Sequence, residues 1–139
     1  MIAFDTDMLT EILLGNRRFV DRAAAVPAIK QGVPSVVVEE IVRGRLNAIR
    51  QAEAGKGRIS IVRAYELFEQ TLADFQHLAI LPYTPEAESI FQQWRKQKVR
   101  VSTHDLRSAA ICTDRSATLV SRNRRDFDRV PGLSVGYWG

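Results

Sequence analysis

Four carboxylates in this chain stand where a reaction could use them: Asp5, Glu40, Asp105 and Asp126. Each follows a short apolar stretch. Asp5 comes after Ile2-Ala3-Phe4, Glu40 after Val36-Val37-Val38, Asp105 after the segment from Val99 to Ser102, and Asp126 after the run at Leu119. In an open α/β sheet, function gathers at the carboxyl ends of the strands. Acids from four separate stretches would repel one another there unless a divalent cation neutralised them. Hard oxygen donors favour Mg²⁺ or Mn²⁺, which keep several waters free for phosphate oxygens. Such a cation acidifies water and stabilises charge building on a phosphoryl group, so phosphodiester hydrolysis is the natural chemistry. Taken singly, each acid is equally well explained as a helix cap or as a partner of the helix dipole.

The elements that must position these acids follow from the apolar spacing. Ile2-Ala3-Phe4 reads as a buried strand. Leu9, Ile12 and Leu13 recur at helical spacing, and Gly15-Asn16 stops that helix. Pro27 and Gly32-Val33-Pro34 mark a break before a second strand, expected over Ser35 to Val38. A helix is expected from about Glu39 to Gly55, with Val42, Leu46 and Ile49 on one face. Gly44 inside it costs about 1 kcal/mol relative to alanine, which suggests close packing or a bend. Tyr65, Phe68, Leu72 and Phe75 form an amphipathic stripe, and Ala79-Ile80-Leu81 a third strand. Pro85 opens a helix carrying Ala87, Ile90, Phe91 and Trp94, and another helix runs from Asp105 to about Ala117. Thr118-Leu119-Val120 is a fourth strand and Leu133-Ser134-Val135 a fifth. Strands alternating with helices predict an α/β fold with a mainly parallel sheet, in one domain spanning 1–139.

Composition bounds the partners. The chain is 45% apolar and 26% charged, an ordinary globular balance, and no apolar run approaches the length of a bilayer span. The opening residues carry no basic flank or long apolar segment, and the single cysteine, Cys112, lies among Ala109, Ala110 and Ile111 as a core thiol. A cytoplasmic protein with no membrane contact is the expectation. The net charge of +4, with arginine supplying 16 of the 20 basic residues, favours an anionic partner.

Several short motifs then fall in order. Asp5-Thr6 follows the first strand. Glu40-Ile41-Val42-Arg43-Gly44 matches Glu-Leu-x-x-Gly. Asp105 is followed by Ala109-Ala110, and Leu119-Val120-Ser121-Arg122-Asn123-Arg124-Arg125-Asp126-Phe127 resembles Leu-Val-Thr-x-Asn-x-x-Asp-Phe. Together they resemble the PIN-domain family, and within it the VapC-type toxins of bacterial toxin–antitoxin pairs, along almost the whole chain. The resemblance implies an α/β/α sandwich and an endoribonuclease of a type II toxin–antitoxin pair. That enzyme would hydrolyse RNA, often a transfer RNA, with a metal-activated water. It also implies a homodimer and a small cognate antitoxin that occupies the active-site groove. Asp5, Glu40 and Asp105 become metal ligands and catalytic residues, with Asp126 a fourth ligand or bound through water, and Thr6, Ser121 and Asn123 polar support. Glu39 falls outside the site.

There are departures from the family pattern. Ser121 stands where threonine is usual, Asp7 where asparagine or serine is commoner, and Arg107-Ser108 replaces an apolar pair. Arg43, Arg107, Arg122 and Arg124 are the arginines nearest the acids, and could hold RNA or antitoxin or simply be solvated. His104 reads as a turn residue before the helix, with contact to substrate as the alternative. Two rival functions stay open. One is a catalytically silent PIN-like module that binds RNA or a partner. The other is a haloacid-dehalogenase-type phosphatase built on Asp5-Thr6-Asp7, which would need a later lysine at a strand end; Lys30, Lys56, Lys96 and Lys98 do not obviously supply one.

Overall fold

Successive residues of a strand point to opposite sides of a sheet, and strand β1 (Ile2–Phe4) accordingly serves two cores. Ala3 packs on one face and Phe4 on the other. In the computed structural model, which describes all residues Met1–Gly139, β1 lies between two parallel neighbours, β2 (Gln31–Pro34) and β4 (Thr118–Ser121). The remaining strands, β3 (Ile80–Leu81) and β5 (Val135–Tyr137), complete a sheet in the order β3-β2-β1-β4-β5, parallel throughout.

Helices cover both faces, as an all-parallel sheet requires. Beyond Phe4, Val33 and Val120 lie α1 (Thr6–Leu13), α2 (Arg17–Ala24), α3 (Ser35–Glu53) and α4 (Ile61–Phe75), which contribute Met8, Leu9, Phe19, Val37 and Phe75. Beyond Ala3, Leu81 and Leu119 lie α5 (Pro85–Lys96) and α6 (Thr103–Asp114), with Phe91, Trp94, Leu106, Ile111 and Cys112 fully buried or nearly so. A four-residue helix, α7 (Arg124–Phe127), follows β4 and sends Phe127 into the second core. This is the α/β/α sandwich expected. No helix is long and apolar enough to cross a membrane.

Three boundaries differ from the sequence expectation. The second strand is Gln31–Pro34, and Ser35 to Val38 is instead the first turn of α3. Val36 packs against one core and Val38 against the other, so this helix start is apolar on nearly every side and reads as a strand. Proline cannot donate to a sheet ladder, and Pro34 ends β2 where the helix begins. The fifth strand is Val135–Tyr137, two residues later than expected. The segment 17–24, to which the sequence reading assigns no element, is α2. Asn16, which reads as the stop of α1, is the N-cap of α2, its side chain accepting from the Arg18 amide at 3.2 Å.

Two glycines part company. Gly32 on β2 lies beneath Leu81, and an added Cβ would come within 3.0 Å of that side chain. Gly44 has nothing within 4 Å of the place a Cβ would occupy, and α3 runs unbroken through it. The close packing expected at Gly44 is absent.

Candidate active site

Each acid is delivered by a different element to the carboxyl end of the sheet. Asp5 follows the last residue of β1 and caps α1, its Oδ1 accepting from the Met8 amide at 2.8 Å. Its Oδ2 accepts from the hydroxyl of Ser121, the last residue of β4, at 2.5 Å. Glu40 sits in the second turn of α3, not directly after a strand, and its Oε2 accepts from the Thr6 hydroxyl at 2.6 Å. Asp105 lies in the first turn of α6, where Ser102 caps the helix by accepting from the Asp105 amide at 3.3 Å.

These side chains line one hollow of about 360 Å³ with no hydrophobic residue in its wall. Asp5, Thr6, Glu40, Asp105 and Asn123 are there as expected, joined by Asp7, Ser102 and His104. Asp126 stands behind Asn123, whose amide nitrogen donates to Asp126 Oδ2 at 2.8 Å. Asn123 Oδ1 in turn accepts from the Asp126 amide and caps α7. Ser121 is buried beneath Asp5 and also accepts from the Asn123 amide at 2.9 Å. The hydroxyl expected as polar support is thus a bridge between the first strand and the α7 turn.

Crowded like charges mark the hollow electrostatically. Asp5, 6% exposed, is pushed up to about 6 by burial, against its bonds from Ser121 and Met8, with further upward pressure from Asp7 and Asp105. Asp105 is also raised, first by burial and then by the carboxylates of Glu40, Asp126 and Asp7, against the Ser102 bond. The acids stand around the hollow and do not close on one point as a finished cage. Oxygen-rich walls and carboxylates that resist ionising together are the donor chemistry a hard divalent cation relieves.

His104, in the first turn of α6, borders the hollow, and its Nε2 lies 3.0 Å from Glu39 Oε1. Glu39 also pairs with Arg43 one turn along α3. It lies outside the hollow, as expected, yet holds a residue that lines it. The signal for His104 was its place beside Asp105; its tie to Glu39 spans 65 residues and is invisible in sequence.

The arginines singled out in sequence are already engaged. Arg43 is on Glu39; Arg122 lies over the Phe19 ring with Nη2 3.5 Å from Glu11; Arg124 stacks on Tyr137 at 4.2 Å; Arg107 lies over Phe91 at 4.8 Å. None of the four lines the acidic hollow.

Comparison with known proteins agrees with this architecture. The PIN domain pattern matches residues 2–133. No curated protein sequence matches the chain. Among solved structures, the fold is similar to a chain of VapBC2 from Rickettsia felis bound to a promoter DNA fragment, at 18% identity, TM-score 0.75 and full coverage of both chains. It is similar to a chain of DNA-bound VapBC from Salmonella typhimurium at 18% identity, TM-score 0.76 and again full coverage of both. VapBC-1 from nontypeable Haemophilus influenzae follows at 15% identity and TM-score 0.73, covering 99% of this chain and 98% of that one. With the family pattern spanning nearly all of it and the acids meeting at the carboxyl end of a parallel sheet, this chain belongs to the PIN domain family.

Proposed function

We propose that the chain is a divalent-metal-dependent endoribonuclease, the toxin of a type II toxin–antitoxin pair. The observation that carries this reading is the all-polar hollow ringed by Asp5, Asp7, Glu40 and Asp105, with burial and neighbouring carboxylates pushing Asp5 and Asp105 upward from the ordinary aspartate value. Asp5, Glu40 and Asp105 would hold Mg²⁺ or Mn²⁺, with Asp126 either a ligand or linked through Asn123. Bound there, the cation would neutralise the acids, acidify water and stabilise charge on the phosphate under attack.

The chain's own residues prepare that centre. Ser121 and the Met8 amide orient both oxygens of Asp5. Thr6 turns Glu40 toward the hollow. Ser102 anchors the turn that carries Asp105, and Glu39 fixes the His104 ring at the rim. Hydrolysis adds water across one P–O bond of the RNA backbone, leaving one strand end with a phosphate and the other with a hydroxyl.

Exposed apolar side chains support a protein partner. Leu14 on the α1 side is 74% exposed and Val62 on α4 is 64% exposed. A hollow of about 250 Å³ between α1, α3 and α4 includes Leu13, Leu14, Ile41 and Leu67 in its wall. A small antitoxin is the proposed occupant of this side. A homodimer and a cytoplasmic location complete the reading, and one of the similar structures, from Klebsiella pneumoniae, is itself a toxin–antitoxin complex.

The direct test incubates purified, antitoxin-free protein with total cellular RNA and Mg²⁺ or Mn²⁺, beside a chelator control and Asp5→Asn. Discrete metal-dependent fragments that the variant does not produce are expected. A folded protein that binds RNA but cuts none with either metal would overturn the nuclease in favour of a binding module.

A further inference from the structure

The largest surface hollow of the molecule, about 610 Å³, lies outside the acidic site and is basic. Lys98 and Arg100, from the turn joining α5 to α6, face Arg129 and Asp128, which follow α7. None of the three cations has a carboxylate within ion-pairing distance. Asp128 is taken by the Tyr137 hydroxyl at 2.6 Å. The Arg129 guanidinium donates only to the backbone oxygen of Arg100, at 3.1 Å, which ties the two walls together. Lys98 occupies the left-handed position (φ 59°) that ends α5, a conformation more usual for glycine or asparagine.

The two hollows share no lining residue, but both chain segments that build the basic one run close to residues of the acidic site. Arg100 is two residues from Ser102, so their Cα atoms are at most about 7 Å apart. On the other wall, the Arg129 amide donates to the Asp126 carbonyl at 3.1 Å. A polyanion with one phosphate at the acids would therefore run onto free cations on this side. Of the arginines nearer in sequence to the acids, Arg43, Arg107, Arg122 and Arg124 are occupied by rings or by glutamate.

We infer that the hollow formed by Lys98, Arg100 and Arg129 binds the phosphate backbone of the substrate strand flanking the cleaved bond. The inference deepens the nuclease reading and rests on it for the position of that bond. Contacts of this kind neutralise phosphates and release counterions, so they are blind to sequence and sensitive to salt. They position the strand and do not select its bases.

The experiment uses the Asp5→Asn protein, expected to bind without cutting, and a random-sequence 20-nucleotide single-stranded RNA. Its affinity is measured across salt concentrations with and without the added changes Lys98→Gln, Arg100→Gln and Arg129→Gln. A control triple, Arg17→Gln, Arg50→Gln and Arg58→Gln, removes the same charge from exposed positions outside both hollows. Thermal melts confirm that all variants are folded. The site triple should bind at least tenfold more weakly, and its salt slope should flatten by about 2, at roughly 0.7 per lost phosphate contact. Equal weakening in the two triples would reduce the effect to net charge and overturn the site, as would unchanged binding in the first. In the wild-type background, the site triple should raise KM and spare kcat. Absence of cleavage by wild type would sink the nuclease reading, while the binding comparison would still decide this surface.

Discussion

Burial keeps the Asp5 carboxyl partly protonated up to about pH 6, although two donors point at it. The folded chain therefore binds a proton that the unfolded chain has released above about pH 4, and metal-free stability falls as pH rises between those values. A shift from 3.8 to about 6 corresponds to about 3 kcal/mol lost by neutral pH. Asp5→Asn removes that loss. The variant should melt higher than metal-free wild type at pH 7, with the gap closing toward pH 4; equal melting at both pH values would show that Asp5 ionises freely. Neighbouring glutamates offer a second comparison. Glu40 lines the hollow, whereas Glu39 holds His104 and Arg43 outside it. Glu40→Gln should abolish cleavage and Glu39→Gln reduce it mildly, and equal losses in a cleavage assay would move the second ligand from Glu40.

At the scale of elements, α3 shows how position outweighs local pattern. Its first turn touches both cores, and that contact makes Val36-Val37-Val38 look like a strand. Further along, Gly44 meets open space in a continuous helix. Gly44→Ala should therefore stabilise the protein by up to about 1 kcal/mol. Gly32 is the reverse case, pressed under Leu81 at the β2–β3 edge. Gly32→Val should cost about 2 kcal/mol through overpacking. Chemical denaturation of both variants checks the pair; a destabilised Gly44→Ala monomer would mean that α3 has a close neighbour at that point. The short α7 matters differently, because its cap Asn123 joins Ser121, Asp126 and the hollow in one set of hydrogen bonds.

For the whole molecule, a net charge of +4 conceals a division. Negative charge gathers in one hollow, and three cations without carboxylate partners gather in another whose chain segments run close to the first. A cation bound to the folded state alone stabilises it by mass action, by about 2.7 kcal/mol at a hundredfold excess over its Kd. Saturating Mg²⁺ should thus raise Tm by several degrees in wild type and leave Asp5→Asn nearly unchanged. Thermal shifts in the presence and absence of chelator measure this, and an equal shift in both proteins would place cation binding elsewhere.

Periodicity and local motifs already specified the α/β class, the parallel sheet, most helices and the positions of Asp5, Glu40 and Asp105 in order. Those signals are local: an apolar run, a 3.6-residue repeat, an acid after a strand. The sequence could not show that Ser121 supports Asp5 across 116 residues, that Glu39 reaches His104, or that Asp7 joins the hollow. It also favoured the arginines next to the motifs, whereas the cations that share one hollow without a carboxylate partner are Lys98, Arg100 and Arg129. Whether a charge is free depends on which ring or carboxylate the fold brings to it, and that choice is made only when distant segments pack. Type and order were legible from the chain itself; partnership was decided by tertiary structure.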